Sequence, residues 1–388
     1  MPEVTYTIKK GGNLEYTVAA VFQGQGYLVR RAVPLKYGSR GQDATDIDVL
    51  GIKFTQPFQP HRIICDCKEK QRSKPYERIF WTKGLSYFVN ATETYVSFPK
   101  ANFDIINFAK SGQVRILTEE VLRDSLIKTY GSERHPYGMA NPSFYEPFYK
   151  RMSPLLGKET EAAIILTLTK NLYLVDDPYV SLNICLLNLR KSANMIKITE
   201  EVKPDVVDLW KFVTADLCVA TSLILLYIAS DTIGLSKSQR ERRIIERLTY
   251  GDISPNKARE IFRLAKELAI ETAKSLNPEK PHQTFLPFDI GQIQAPEYAQ
   301  NIIGLVERAL ASPLLYNELP QLMDYLLFEQ SLHNREFSDE EYRKTFPSTQ
   351  PEERLKVARN IFAFLRDNAG VDLKVFWPKQ ENHLPKKQ

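Results

Sequence analysis

The rhythm of apolar and polar positions changes about a third of the way along the chain. Up to residue 130, short apolar runs of strand length alternate with helical stretches; beyond about 155 the helical period dominates. Residues 13–24 place Leu14, Val18, Val21 and Phe22 on one helical face, with Asn13 at the N-cap position and Gly24 and Gly26 as a stop. Residues 27–37 read as a strand, and Pro34 within it marks an edge or a bulge. The polar, glycine-bearing stretch 38–45 reads as a turn. Two further strands follow, around 47–50 and 62–68, joined by a loop containing Pro57 and Pro60. Pro75 suits a first helical turn, so 76–91 reads as a helix. Its Ile79, Phe80, Leu85 and Phe88 are available for a core, while Arg78, Trp81 and Lys83 face elsewhere. Residues 94–98 and 114–117 read as strands, 104–110 as a helix, and Thr118 opens another with Glu119 and Glu120 in its first turn. The order α-β-β-β-α-β-α-β-α predicts a mixed sheet flanked by helices.

Residues 131–155, rich in Pro, Gly, Asn and aromatics, read as a linker or boundary loop. Strand signals then nearly vanish. Helices are predicted over 161–173, 180–195, 206–230, 237–250, 255–275, 296–310, 314–333 and 352–369, with a last short strand at 373–377. The expectation is an α/β domain over 1–130, a linker over 131–155, and an all-α domain over 156–388.

The two central strands carry acids where a buried strand has none. Asp46 and Asp48 share a face opposite Ile47 and Val49; Asp66 and Lys68 share a face opposite Cys65 and Cys67. Neighbouring strands of this kind bring Asp48, Asp66 and Lys68 to one sheet edge. Two carboxylates there can hold a hard divalent cation, and a lysine beside them can orient or deprotonate a water or balance a phosphate. Asp46 rivals Asp48 because it lies on the same face. The plainer alternative is that Lys68 is the ion-pair partner a buried Asp66 needs.

An acid followed at this spacing by Asp66-Cys67-Lys68 resembles the PD-(D/E)XK nuclease superfamily. Upstream, the helical stretch 13–22 and Gly26-Tyr27 resemble the opening of Mrr-type restriction endonucleases and Holliday-junction resolvases. The resemblance covers about the first 130 residues, and it implies a restriction-endonuclease-like α/β fold, whose core order matches the elements above. It also implies phosphodiester hydrolysis with Mg2+ or Mn2+ between Asp48 and Asp66, the carbonyl of Cys67 serving as a further ligand. Lys68 would position or deprotonate the attacking water, and Glu15, where the family's helical acid falls, would hold a water or a second metal. Lys70, Arg72, Lys74, Arg78 and Lys83 would grip the phosphate backbone without reading sequence. Mrr-type enzymes commonly have Gln or Glu where Asp66 stands, so subfamily and substrate do not carry over.

Charge placement suits that picture. The net charge is +5, and residues 1–130 hold 19 Lys and Arg against 13 Asp and Glu, while the remainder holds 33 against 34. The excess is densest at Arg62, Lys68, Lys70, Arg72, Lys74, Arg78 and Lys83. Basic charge around an acidic pocket draws a polyanion. The four cysteines make no disulfide framework, which points to a reducing, cytoplasmic setting. The start, MPEVTYTIKK, lacks the apolar core of a signal peptide. The longest apolar stretch, 217–230, falls short of the ~20 residues of a membrane span and reads as a buried helix. No glycine-rich phosphate loop, Gly-x-Ser-x-Gly or zinc spacing is present. The expected partner is nucleic acid, DNA over RNA, with a homodimer or protein partner engaged through the helical part. The expectation is a nuclease in a prokaryotic restriction or phage-defence setting. The alternative is a catalytically inactive nuclease-fold module for nucleic-acid binding or assembly.

Overall fold

The structure is a computed structural model. It describes residues 13–37, 42–68, 74–131, 134–199, 204–276, 294–348 and 350–377. Among them, five strands form one sheet in the order β1 (Leu28–Tyr37), β2 (Gln42–Thr55), β3 (Gln59–Cys67), β4 (Glu93–Phe98), β5 (Val114–Thr118). The first three are antiparallel neighbours. β4 and β5 run parallel to β3. Each of these parallel steps is bridged by a helix, α2 (Pro75–Phe88) or α3 (Phe103–Ser111), as a crossover requires.

Strand alternation sorts the two sheet faces. Val49, Ile63 and Cys65 point to α1 (Asn13–Gly24) and α4 (Glu119–Tyr130), where they pack with Val18, Phe22, Leu122 and Leu126. Leu28, Leu50, Ile52 and Ile64 join the large core built by the helices of the second part. α2 and α3 cover the β4–β5 end through Ile79, Val96, Ala109 and Val114.

The second part winds around α8 (Pro204–Thr232), which packs against α6 (Thr160–Leu172), α7 (Pro178–Thr199), α11 (Ala299–Ala311) and α13 (Leu319–Asp324). α8 is long and apolar enough to cross a membrane by length and composition, but 94% of its most apolar window is buried inside the protein. The apolar stretch 217–230 is therefore a core helix, as the sequence predicts.

Several expectations are corrected. Residues 142–156, read as linker, form α5 (Pro142–Leu156), started by Pro142 and by Asn141, whose side chain accepts from Ser143 N–H at 3.1 Å. The single helix expected over 314–333 is divided into α12 (Pro313–Tyr316), α13 and a π-helical segment Tyr325–Ser331. Pro320, the second residue of α13, explains the break between α12 and α13, because proline has no N–H to continue a helix. Residues 373–375 form a 3-10 turn, not a strand. On α2, Ile79 and Leu85 are buried as expected, but Phe80 and Phe88 face solvent.

A buried charge network ties sheet to helices. Arg30 on β1 lies on the same face as Leu28, which points it into the helical core. Its guanidinium reaches Asp324 at 2.9 Å, Asp216 at 3.3 Å and the Tyr173 hydroxyl at 2.8 Å. Tyr173 in turn donates to Asp216 at 2.6 Å. Gly138, at φ 57, passes so close to Asp324 Oδ2 that a side chain there would collide with it.

Candidate functional site

The β2–β3 ladder stops at Val49–Cys65, whereas β3 continues along β4 as far as Cys67–Ser97. β3 thus loses one neighbour before its end. An unpaired backbone N–H in a half-buried place is costly, and the Cys67 N–H donates to Asp48 Oδ2 at 2.7 Å. Lys68 N–H still donates to the Ser97 carbonyl at 3.0 Å, which fixes the start of its side chain. Its Nζ reaches Asp48 Oδ2 at 3.3 Å and Asp66 Oδ1 at 3.1 Å. The three residues singled out in the two strands therefore meet at one point.

Asp66 is 4% exposed. A carboxylate so buried needs strong partners, and α2 supplies the second. Arg78 donates from Nε to Asp66 Oδ2 at 2.9 Å and from Nη2 to Oδ1. This two-bond pairing is the strongest geometry open to an arginine and a carboxylate. The guanidinium also lies 4.3 Å from the centre of the Trp81 ring. The cleft between Asp46, Asp48, Asp66 and Trp81 has no room for a water-sized sphere.

Burial pushes the Asp48 carboxyl up from its ordinary value; the Cys67 N–H and Lys68 pull it back, and the charge of Asp66 adds to the rise. For Lys68, burial works against the ammonium, but Asp66 and Asp48 outweigh it, and its value is raised. The Cys67 thiol is pushed well above its ordinary value by its bond with Cys65 and by burial, with Asp48 and Glu15 adding their charges. It is therefore an un-ionised thiol at neutral pH.

The other expected residues are scattered more widely. Glu15 on α1 pairs with Arg31 at 3.6 Å. Asp46 is exposed, and it lines a cavity of about 350 Å3 together with Arg31 and Lys170, so Asp48 is the acid that reaches Lys68. Lys74 pairs with Glu77 at 2.7 Å in solvent. Lys83 reaches Gln113 at 3.2 Å. Arg62, counted with the basic surface, is instead buried and donates to the carbonyls of Val89 and Val175 and to the Tyr227 hydroxyl. Lys70 and Arg72 lie outside the described residues. Among the described residues, no group of three or more His, Cys, Asp or Glu is placed to hold a metal ion.

Sequence reasoning missed two things. It assigned Arg78 to phosphate contact alone, though a buried Asp66 demanded more than one cation. It passed over Arg30, whose signal is legible: an arginine sharing a strand face with Leu28, and an Asp216 lying directly before the longest apolar stretch. No family model matches the chain, and neither does any curated protein or solved structure.

Proposed function

We propose that the chain is a metal-dependent nuclease that hydrolyses phosphodiester bonds, in DNA rather than RNA, in the cytoplasm of a prokaryote and in a restriction or phage-defence role. The observation that carries this reading is the convergence at Lys68 Nζ, which lies 3.3 Å from Asp48 and 3.1 Å from Asp66 at a sheet edge. The order of elements through β4 supports it, since it is the order the family resemblance implies.

In kind, the donors fit a hard cation: the carboxylates of Asp48 and Asp66 and the carbonyl of Cys67 would hold Mg2+ or Mn2+. In arrangement, Arg78 grips both oxygens of Asp66, so it must swing away before those oxygens are available. A bound cation would supply an acidified water and neutralise charge at the phosphate. The chain's own residues do the rest. Lys68, 3.1–3.3 Å from both carboxylates, would position or deprotonate the attacking water. Arg78, once released from Asp66, presents two N–H donors to a phosphate.

One observation favours a second reading. The two-bond hold of Arg78 on Asp66 is what a structural ion pair looks like, and it suits a catalytically inactive module for nucleic-acid binding or assembly. The experiment is cleavage of plasmid, linear and single-stranded DNA and of RNA with Mg2+, Mn2+ or EDTA, comparing wild type with Asp66→Ala and Lys68→Ala, alongside calorimetric titration with Mn2+. Metal-dependent cutting lost in both variants is expected. No cutting and no heat of Mn2+ binding would leave the inactive module standing.

A further inference from the structure

α2 carries a second chemistry on the side turned away from the sheet. Tyr76, Phe80, Lys83 and Tyr87 recur at intervals of four, three and four residues, which puts them in one stripe. Phe80 is 67% exposed and Tyr87 70%. Phe88, at the end of the helix, is 80% exposed. Phe108 of α3 stands edge-on to Tyr76 at 4.9 Å and to Phe80 at 5.3 Å, which holds those two rings upright. α3 continues the surface with Phe103, 75% exposed, Ile106 and Lys110. Contiguous exposed rings of this kind are unfavourable in water and mark a binding surface.

The charge on this surface selects the occupant. Lys83 and Lys110 are its basic residues, while Lys74 and Glu77 cancel each other and Arg78 is taken up by Asp66. Lys83 Nζ lies 5.1 Å from the centre of the Tyr87 ring. Rings interleaved with ammonium groups match a ligand that is flat and apolar on its bases and anionic along its backbone. A duplex hides its base faces; an unpaired strand offers them. From Tyr76 to Tyr87 the helix runs about 16 Å, long enough for a short run of bases. Arg78 and Trp81 lie on the other flank of α2, against Asp66.

We propose that the α2–α3 ridge is a stacking platform for single-stranded DNA. Its link to cleavage rests on the nuclease reading; the binding itself does not. The test is fluorescence anisotropy of the full chain in EDTA with labelled oligo(dT), the matching duplex, and oligo(U). Oligo(dT) is expected to bind best. Phe80→Ala with Tyr87→Ala should weaken it about tenfold or more, and Phe80→Trp with Tyr87→Trp should keep it. The rings are exposed, so circular dichroism of the variants should match wild type.

Equal binding of duplex and oligo(dT), or unchanged binding by the double-alanine variant, overturns the proposal. Tighter binding of oligo(U) overturns the assignment to DNA. A wild-type dimer by light scattering that becomes monomeric in the double-alanine variant, with oligo(dT) binding intact, would make the ridge a contact between copies and also overturn it. Because the assay contains no metal, ring-dependent binding without any cleavage elsewhere would keep the platform and remove the nuclease. Cleavage that persists while the ring changes leave oligo(dT) binding unaltered would keep the nuclease and remove the platform.

Discussion

On β1, Arg30 meets Asp216 and Asp324, and all three side chains are 3% exposed or less. At the end of β3, Asp66 is as deeply buried, but its partners Lys68 and Arg78 are 31% and 26% exposed. Both clusters pair cations with aspartates against the same sheet. The difference is whether the charges have anywhere else to go. Arg30 is enclosed by Tyr173 and Phe328, so leaving its acids would strand a charge in an apolar core. Burial works against its ionisation, yet Tyr173, Asp324 and Asp216 more than offset it and hold the guanidinium charged. Lys68 and Arg78 can turn outward and remain hydrated. The first cluster fixes one structure, and the second leaves its cations room to move, as the proposed nuclease reading requires.

Changes at the buried cluster should unfold the protein, and changes at the edge cluster should alter chemistry. The largest effect is expected from Arg30→Ala, which leaves Asp216 and Asp324 facing apolar surroundings: a loss of about 3–5 kcal/mol in urea denaturation. A loss below about 1 kcal/mol would break the contrast. Next is Lys68→Ala, expected to lower metal-dependent cleavage about a hundredfold while moving stability by less than about 1 kcal/mol. A large stability loss with cleavage intact would reverse the assignment.

A third prediction uses pH. Burial raises Glu329 to about 7, although the Gly138 N–H at 2.9 Å and Arg335 at 2.6 Å pull it down. Asp324 is raised to about 6, again by burial first, against the pull of Arg30. Between about pH 4 and 7 the folded state keeps protons that the unfolded chain has lost. The stability contributed by these groups is therefore full below the ordinary carboxylate range and is lost as pH rises through 6 and 7. Tm should fall between pH 5 and 8, and Glu329→Gln should remove about 2 kcal/mol of that slope. The smallest effect expected is from Arg78→Ala, which frees the oxygens of Asp66 and should tighten Mn2+ binding about fivefold in calorimetry, with a stability loss of about 1 kcal/mol. Unchanged or weaker Mn2+ binding would count against Asp66 as a ligand.

Much of the first third was legible because its signals are local. The helix at 13–24 announces itself by spacing and by Asn13, and Asp66 and Lys68 stand out because acids interrupt an apolar strand. Choosing Asp48 over Asp46 needed the point where β2 parts from β3, and no residue pattern marks that point. Phe80 and Phe88 misled for a physical reason: helical spacing shows which residues share a face, not whether anything covers it. The linker or boundary loop expected over 131–155 is helical from Pro142, because a proline at a helix start loses no hydrogen bond and composition does not show where in a segment it stands. The π-helical turn at Tyr325–Ser331 follows two proline-broken helices, and its cause lies in packing that a periodic pattern does not encode.

The shared core has a consequence for portability. Leu28, Val33, Leu50 and Ile64 belong to the same apolar mass as α6, α7 and α8. The side chain of Gln23 trades two hydrogen bonds of 2.9 Å with the backbone of Tyr137. A gene fragment ending near residue 131 would bare that whole sheet face and leave Arg30 without its acids. The chemistry at Asp48, Asp66 and Lys68 is thus not a cassette that recombination could lift out and graft onto another partner. Carrying that cluster elsewhere intact requires the helices to travel with the sheet.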